Sequence, residues 1–247
     1  MAKVAVRVLG CGDAFGSGGR FQTCFFVRAG RARFLIDCGA TTLVAMRRFG
    51  VDPGAIDTIF LSHLHGDHFA GLPFLLMEAQ FIGQRQRPLT VVGPPTMRQR
   101  LLEAQEVLFP GSSQMTWYFP LHFVELEPGR TQSCGGVTVT AYSVRHPSGA
   151  PAFALRFACG RRLIGYSGDT EWTDQLIEVA SGADLLITEC YAFDGNAGHH
   201  LDFQTLTSRR QELRAKRLLL THMSQDMLDR FDGIGWEAAE DGLLLEL

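Results

Sequence analysis

The stretch that most restricts this chain is TIFLSHLHGDHFAGLP, Thr58 to Pro73, where an apolar run ends in three histidines and one aspartate packed within six residues. An apolar run of this kind reads as a buried strand. The polar residues that follow it then have to turn at the strand's end, where a cleft can form. Neutral imidazoles and a carboxylate are the donors that zinc and similar first-row divalent ions prefer. One ion cannot use all four comfortably. His63 and His65 alternate as on a strand and share a side, whereas Asp67 and His68 lie beyond the bend. Two ions need further donors, and later strand-like runs end on them: His146 after TAYSVR, Asp169 after LIGYSG and His222 after LLLT.

Around this motif the chain alternates strand-like and helix-like segments. Strand-like runs are VAVRVL, CFFVRAG, RARFLID, DTIFLS, LTVVG, LHFVELE, GVTVTAYSV, AFALRFA, RRLIGYS, DLLITEC and RLLLTH, many bounded by Gly, Pro or Asp. Helices are predicted over 42–49, 71–81, 96–108, 173–180 and 202–213, the last with Asp202 as its N-cap. No repeat or polar linker divides the chain, so residues 1–247 are expected to form one domain, with two mixed sheets and helices outside. His122, inside LHFVELE, is expected to be a packed side chain and not a ligand.

Composition excludes several functions. The net charge of −3 provides no basic field for nucleic acid. Of 23 cationic residues only Lys3 and Lys216 are lysines, and the arginine pairs at Arg85/Arg87, Arg98/Arg100, Arg161/Arg162 and Arg209/Arg210 trace no evident track. No apolar run reaches the length of a membrane span, and the first residues do not read as a signal peptide. The six cysteines are scattered without a C-x-x-C pair, as in a protein of the reducing cytoplasm.

The order of these donors resembles the metallo-β-lactamase superfamily over nearly the whole chain. That resemblance implies an αββα sandwich with metals at the sheet edge, His63, His65 and His146 binding one ion, and Asp67, His68 and His222 the other. Asp169, in SGDT, would bridge them. Many true β-lactamases carry cysteine at that position, so its aspartate points away from antibiotic hydrolysis. The implied cofactor is a pair of divalent ions, zinc first, with Mn2+ or Fe2+ as alternatives. Such ions can lower the pKa of bound water from about 16 to about 7, giving a bridging hydroxide.

Within the superfamily, LGCGDAFGSGGRFQTCFFV, FLIDCG and THMS resemble the ribonuclease Z and phosphodiesterase group. Gly16, Gly18 and Gly19 either bring backbone N–H groups to an anion or simply make a turn. In ribonuclease Z a long tRNA-gripping arm lies between the third histidine ligand and the bridging aspartate. Here only PSGAPAFALRFACGRRLIGYSG separates His146 from Asp169, enough for two strands and their turn. The compact cyclic phosphodiesterase of phosphonate breakdown has a similar spacing, but its cysteine-bound structural zinc has no counterpart here. By the same resemblance a histidine between the bridging aspartate and the last ligand acts in catalysis, and His199 or His200 holds that interval. His200 is preferred because HLDF leads into a helix. Asp67 would aim the nucleophile, while Asp37 and Glu189 either orient ligand rings or are ordinary strand-end acids.

The expected function is therefore a dinuclear hydrolase of a small or flexible phosphodiester, without stable tRNA binding. The region GLPFLLMEAQFIGQRQRPL implies a homodimer by resemblance. The alternatives are a thiolester or lactone hydrolase, a ribonuclease Z-like tRNA 3′ endonuclease, and a metal-binding protein without turnover.

Overall fold

The structure, a computed structural model, describes residues 3–195 and 198–247. Both sheets begin with antiparallel strands and continue with parallel strands. In the first half these are β1 (Val4–Gly10), β2 (Cys24–Ala29), β3 (Ala32–Ile36), β4 (Thr58–Phe60), β5 (Leu89–Gly93) and β6 (Leu121–Glu125). Between them lie α1 (Thr42–Arg48), α2 (Gly66–Phe69), α3 (Gly71–Phe81) and α4 (Met97–Leu108). The second half runs β7 (Thr131–Cys134), β8 (Val137–Ser143), β9 (Phe153–Cys159), β10 (Arg162–Tyr166), α5 (Gln175–Ala180), β11 (Leu185–Glu189), α6 (Phe203–Ser208), β12 (Leu218–Thr221) and α7 (Gln225–Asp229). A last strand, β13 (Leu244–Glu246), returns to the first half and pairs antiparallel with β1. The sheet orders are β13-β1-β2-β3-β4-β5-β6 and β12-β11-β10-β9-β8-β7.

Side-chain alternation explains why both sheets are covered on both faces. In β3, Phe34 and Ile36 enter the core between the sheets, while Leu35 faces the layer that packs on Met46, Leu72 and Leu76. In β12, Leu219 faces the same central core, and Leu218 and Leu220 meet Leu176, Leu206 and Met227. Strands buried on both faces read as continuous apolar runs, as LLLT and LLIT do. The result is the expected αββα sandwich. Three phenylalanines join its sheets: Phe60 and Phe157 have ring centroids 5.0 Å apart, and Phe34 lies 5.3 Å from each.

Helix α3 has the predicted bounds, and α1 and α4 each differ from theirs by one residue. The helix predicted over 202–213 ends at Ser208. Asp202 caps it as expected, accepting from the Thr205 amide at 2.8 Å. The sequence TLTS then supplies poor helix formers, and the Ser208 hydroxyl donates to the Thr205 carbonyl at 2.9 Å. The helix predicted from 173 begins at Gln175. His122 is not packed; on β6, the edge strand of its sheet, its side chain is exposed. All six cysteines are unpaired thiols, five of them buried. Among the described residues no helix is long and apolar enough to cross a membrane.

The phenylalanine contact is the joint between the sheets, so Phe157→Ala should destabilise by about 3–5 kcal/mol through lost burial and a cavity. Exposed Tyr118→Ala should change stability by about 0.5 kcal/mol or less. Urea unfolding of the two variants measures the contrast, and similar midpoints would refute it.

Candidate metal centre

The motif does fold as a strand end followed by a turn and a helix. After β4, the Leu61 amide still donates to the Val92 carbonyl at 2.8 Å. His65, the residue before α2, has an extended backbone, and Asp67 and His68 occupy that helix's single turn. Two glycines permit the tight packing behind it. A Cβ at Gly39 would sit 2.3 Å from the Asp67 carbonyl oxygen, and one at Gly71 would sit 2.2 Å from the Gly39 carbonyl oxygen. The loop after β3 therefore presses directly on the turn that carries Asp67 and His68. Its first residue, Asp37, adopts a left-handed φ of 60°.

Asp37 is fully buried and accepts four hydrogen bonds: from the Ser62 amide at 2.7 Å, the Ser62 hydroxyl at 2.8 Å, the Tyr166 hydroxyl at 2.7 Å and His68 Nδ1 at 2.7 Å. Nδ1 donates there, which leaves His68 Nε2 for the centre. It faces Asp67 Oδ2 at 3.2 Å and Asp169 Oδ1 at 3.3 Å. The same logic sets His63. Ser62 has given its proton to Asp37, so its oxygen accepts from His63 Nδ1 at 3.0 Å. Among the described residues the buried His63 Nε2 has no hydrogen-bond partner, and it lies 3.7 Å from Asp169 Oδ2. His146 Nδ1 donates to the His199 carbonyl at 3.0 Å, turning its Nε2 toward His65 Nδ1 at 3.0 Å.

The last donor comes from the other sheet. His222 follows β12 in a left-handed conformation, with φ 58°, and its amide donates to the Cys11 carbonyl at 2.9 Å. Its Nε2 lies 3.0 Å from Asp67 Oδ2, 3.4 Å from Asp169 Oδ2 and 3.3 Å from His68 Nε2. Donor atoms gather in His63–His65–His146 and Asp67–His68–Asp169–His222, and a third group, Asp169–Glu189–His200–His222, overlaps the second. Asp169 lies within 3.9 Å of a ring nitrogen of His63, His68, His146 and His222.

This arrangement fits cations. The lone pair of His63 Nε2 faces Asp169 Oδ2, and no hydrogen bond satisfies acceptor against acceptor. A positive charge between them does. Burial holds His63 well below the ordinary histidine pKa and His146 down to about 4, so both are neutral donors at pH 7. At His68 and His222 burial acts in the same direction, but Asp169, with Asp67, outweighs it and raises both. Asp169 and Asp67 are in turn held below the usual carboxylate range against burial, by His222 and His68 at Asp169 and by His68 and His222 at Asp67. A bound divalent ion would displace the protons that these carboxylates attract.

Of the two adjacent histidines, His200 faces the cluster. Its Nδ1 is 2.9 Å from Glu189 Oε2 and 3.9 Å from Asp169 Oδ2, and its ring lies flat against Tyr191. The His199 ring is 63% exposed and pairs with Glu171, so this residue reaches the centre only through its carbonyl. Asn196 and Ala197, earlier in the same segment, lie outside the described residues. Glu189 is buried and also accepts from the Thr170 amide. The glycine-rich loop makes a turn. Its Phe15 and Ser17 amides are taken by Asp13, the Gly18 amide by Gln225 and the Gly19 amide by the Gly16 carbonyl. Ser62 and Tyr166 had no role in the reading of the sequence, although strand alternation points Tyr166 inward beside Ile164.

The family described as "Anti-Pycsar protein Apyc1" matches residues 4–235. The chain belongs to that family. The Bacillus subtilis protein named "Probable metallo-hydrolase YhfI" is 26% identical over 225 residues, covering 88% of this chain and 86% of that protein. The crystal structure of YhfI, a metallo-β-lactamase fold protein, covers both chains fully with a TM-score of 0.79. Ribonuclease BN of Cronobacter sakazakii is 28% identical over 244 residues, covering 77% of this chain and 78% of that enzyme. Human tRNase Z, short form, covers 98% of both chains at 27% identity and a TM-score of 0.79. The expected metallo-β-lactamase fold and ribonuclease Z and phosphodiesterase branch are therefore established, and this member of the Apyc1 family is a metal-dependent hydrolase.

Replacing Asp37 by asparagine keeps the size of the side chain but turns an N–H donor toward groups that donate. Asp37→Asn should weaken metal retention about ten- to a hundredfold through His68. Competition with a graded series of chelators measures this, and wild-type retention would show that Asp37 does not orient the site.

Proposed function

We propose that the chain is a dinuclear metal-dependent phosphodiesterase acting on small or flexible phosphodiesters. The observation that carries this reading is the convergence of His63–His65–His146 and Asp67–His68–Asp169–His222, with Asp169 within 3.9 Å of ring nitrogens in both. His63, His65 and His146 would hold one ion, Asp67, His68 and His222 the other, with Asp169 shared. Zinc suits these nitrogen and carboxylate donors, and Mn2+ or Fe2+ are the alternatives. When bound, the ions would supply Lewis acidity toward the phosphoryl group and a water of lowered pKa. Asp67 stays ionised beside His68 and His222 and accepts a hydrogen bond from the attacking water, aiming its lone pair at phosphorus. Burial, with Asp169 beside it, pushes Glu189 well above the usual carboxylate range. Glu189 and His200 therefore hold a proton between them, and His200 passes one to the departing oxygen.

A small substrate is favoured over folded tRNA because the interval from His146 to Asp169 holds only β9, β10 and the turn at Gly160. A structured RNA needs many phosphate contacts, and a chain of net charge −3 offers few. The ribonuclease BN and tRNase Z relatives favour a second reading, processing of tRNA 3′ ends. The free thiols suit a cytoplasmic protein.

Purified protein should contain about two divalent ions per chain and hydrolyse bis(p-nitrophenyl) phosphate or a cyclic phosphodiester. His200→Ala should lower turnover by about 10²–10⁴ without loss of metal. Salt-sensitive cleavage of precursor tRNA with weak turnover of small diesters would select the second reading.

We further propose a homodimer through α3 and α4. Phe81, Ile82 at 73% exposure and Val107 at 81% protrude from these adjoining elements, and Phe74 packs on Phe109 beside them. Sedimentation velocity should give a dimer for the wild type and a monomer for Val107→Glu. A wild-type monomer at micromolar concentration would rule this interface out.

A further inference from the structure

We propose that the Tyr191 hydroxyl donates a hydrogen bond to the phosphoryl group of the substrate, a contact that rests on the phosphodiesterase reading and that the histidine motif does not contain. Tyr191 lies just past β11, and its backbone is held on both sides. Its amide donates to the Leu201 carbonyl at 2.9 Å, and its carbonyl accepts from the Ser224 amide at 3.0 Å. These bonds tie it to the two segments that carry His200 and His222. Its ring is stacked on His200, with centroids 4.7 Å apart and planes 27° apart, and lies 6.0 Å from His222. His200 and His222 are themselves nearly parallel at 5.5 Å. The three rings form one wall beside the second donor group.

The hydroxyl is the part of this side chain that packing does not explain. Tyr191 is half-buried, and among the described residues its hydroxyl makes no hydrogen bond. A half-buried tyrosine whose O–H has no protein partner leaves that donor available to a ligand. The charged groups acting on it are the carboxylates of Asp13, Glu189 and Asp67. All are acceptors, and none is within bonding reach. An anionic phosphodiester entering past these carboxylates meets repulsion unless neutral or cationic donors face it. A phenol O–H adds no charge and forms a short, strong bond to a phosphoryl oxygen. Asp13 is in no position to move toward the substrate, because it holds the Phe15 and Ser17 amides and the Ser17 hydroxyl at 2.7–3.2 Å.

Phenylalanine preserves the stack on His200 and removes only the donor, so Tyr191→Phe isolates the contact. The test uses the purified metal-loaded protein, with titration calorimetry of inorganic phosphate, steady-state hydrolysis of bis(p-nitrophenyl) phosphate and elemental analysis. Tyr191→Phe should keep its metal content and lose about ten- to a hundredfold in both phosphate affinity and kcat/KM, as expected for a bond to a charged group. Tyr191→Ala, which also frees the His200 ring, should lose at least as much. Wild-type phosphate affinity and kinetics in Tyr191→Phe would overturn the proposal, and a loss confined to Tyr191→Ala would overturn it equally by assigning the effect to the stack. Failure of the phosphodiesterase reading appears separately, as absence of turnover in the wild type, while phosphate titration still reports on the hydroxyl.

Discussion

A single buried carboxylate, Asp37, connects nearly every part of the site, and its bonding explains why the surrounding loops have only one arrangement. Unpaired, an ionised carboxylate in that position would cost several kcal/mol or more. It is stabilised only where Ser62, Tyr166 and His68 all reach it. Ser62 and His68 belong to the motif after β4, whereas Tyr166 ends β10 in the opposite sheet. Satisfying Asp37 therefore docks the two halves against each other at the edge where the histidines stand. The left-handed backbone at Asp37 costs about 1–2 kcal/mol, which these four bonds offset.

From Asp37 outward the inward-facing nitrogens of three histidines are set by the hydrogen bond on the far side of each ring. His68 and His63 turn Nε2 inward because their Nδ1 atoms donate, and His146 does so through the His199 carbonyl. The centre is consequently rich in acceptors, an unfavourable arrangement in a protein interior unless positive charge enters it. Rigidity of this kind costs no reorganisation when a charged substrate arrives. The stack of Tyr191, His200 and His222 extends the same principle to the rim, since each ring restricts the next.

Much of the sandwich was legible because strands buried on both faces leave unbroken apolar runs and helices keep a wider period. Where local preference was weak, boundaries moved: TLTS could not carry α6 to residue 213, and LLE became β13 only because β1 offers an open edge. His122 shows the limit of reading a strand without its neighbours. A histidine in an apolar run looks packed, yet at a sheet edge it meets solvent.

By itself the sequence determined the chemical types of the donors and their division by the turn after β4, since strand alternation and a helix start are local geometry. It also determined that no long insertion lies between His146 and Asp169. Only the tertiary structure decided that His222 stands 3.3 Å from His68 across 154 positions, that His200 and not His199 turns inward, and that Ser62, Tyr166 and Tyr191 belong to the site. Such pairings depend on how two sheets stack and where left-handed residues redirect the chain. Those are relations between distant segments, and no local pattern encodes them.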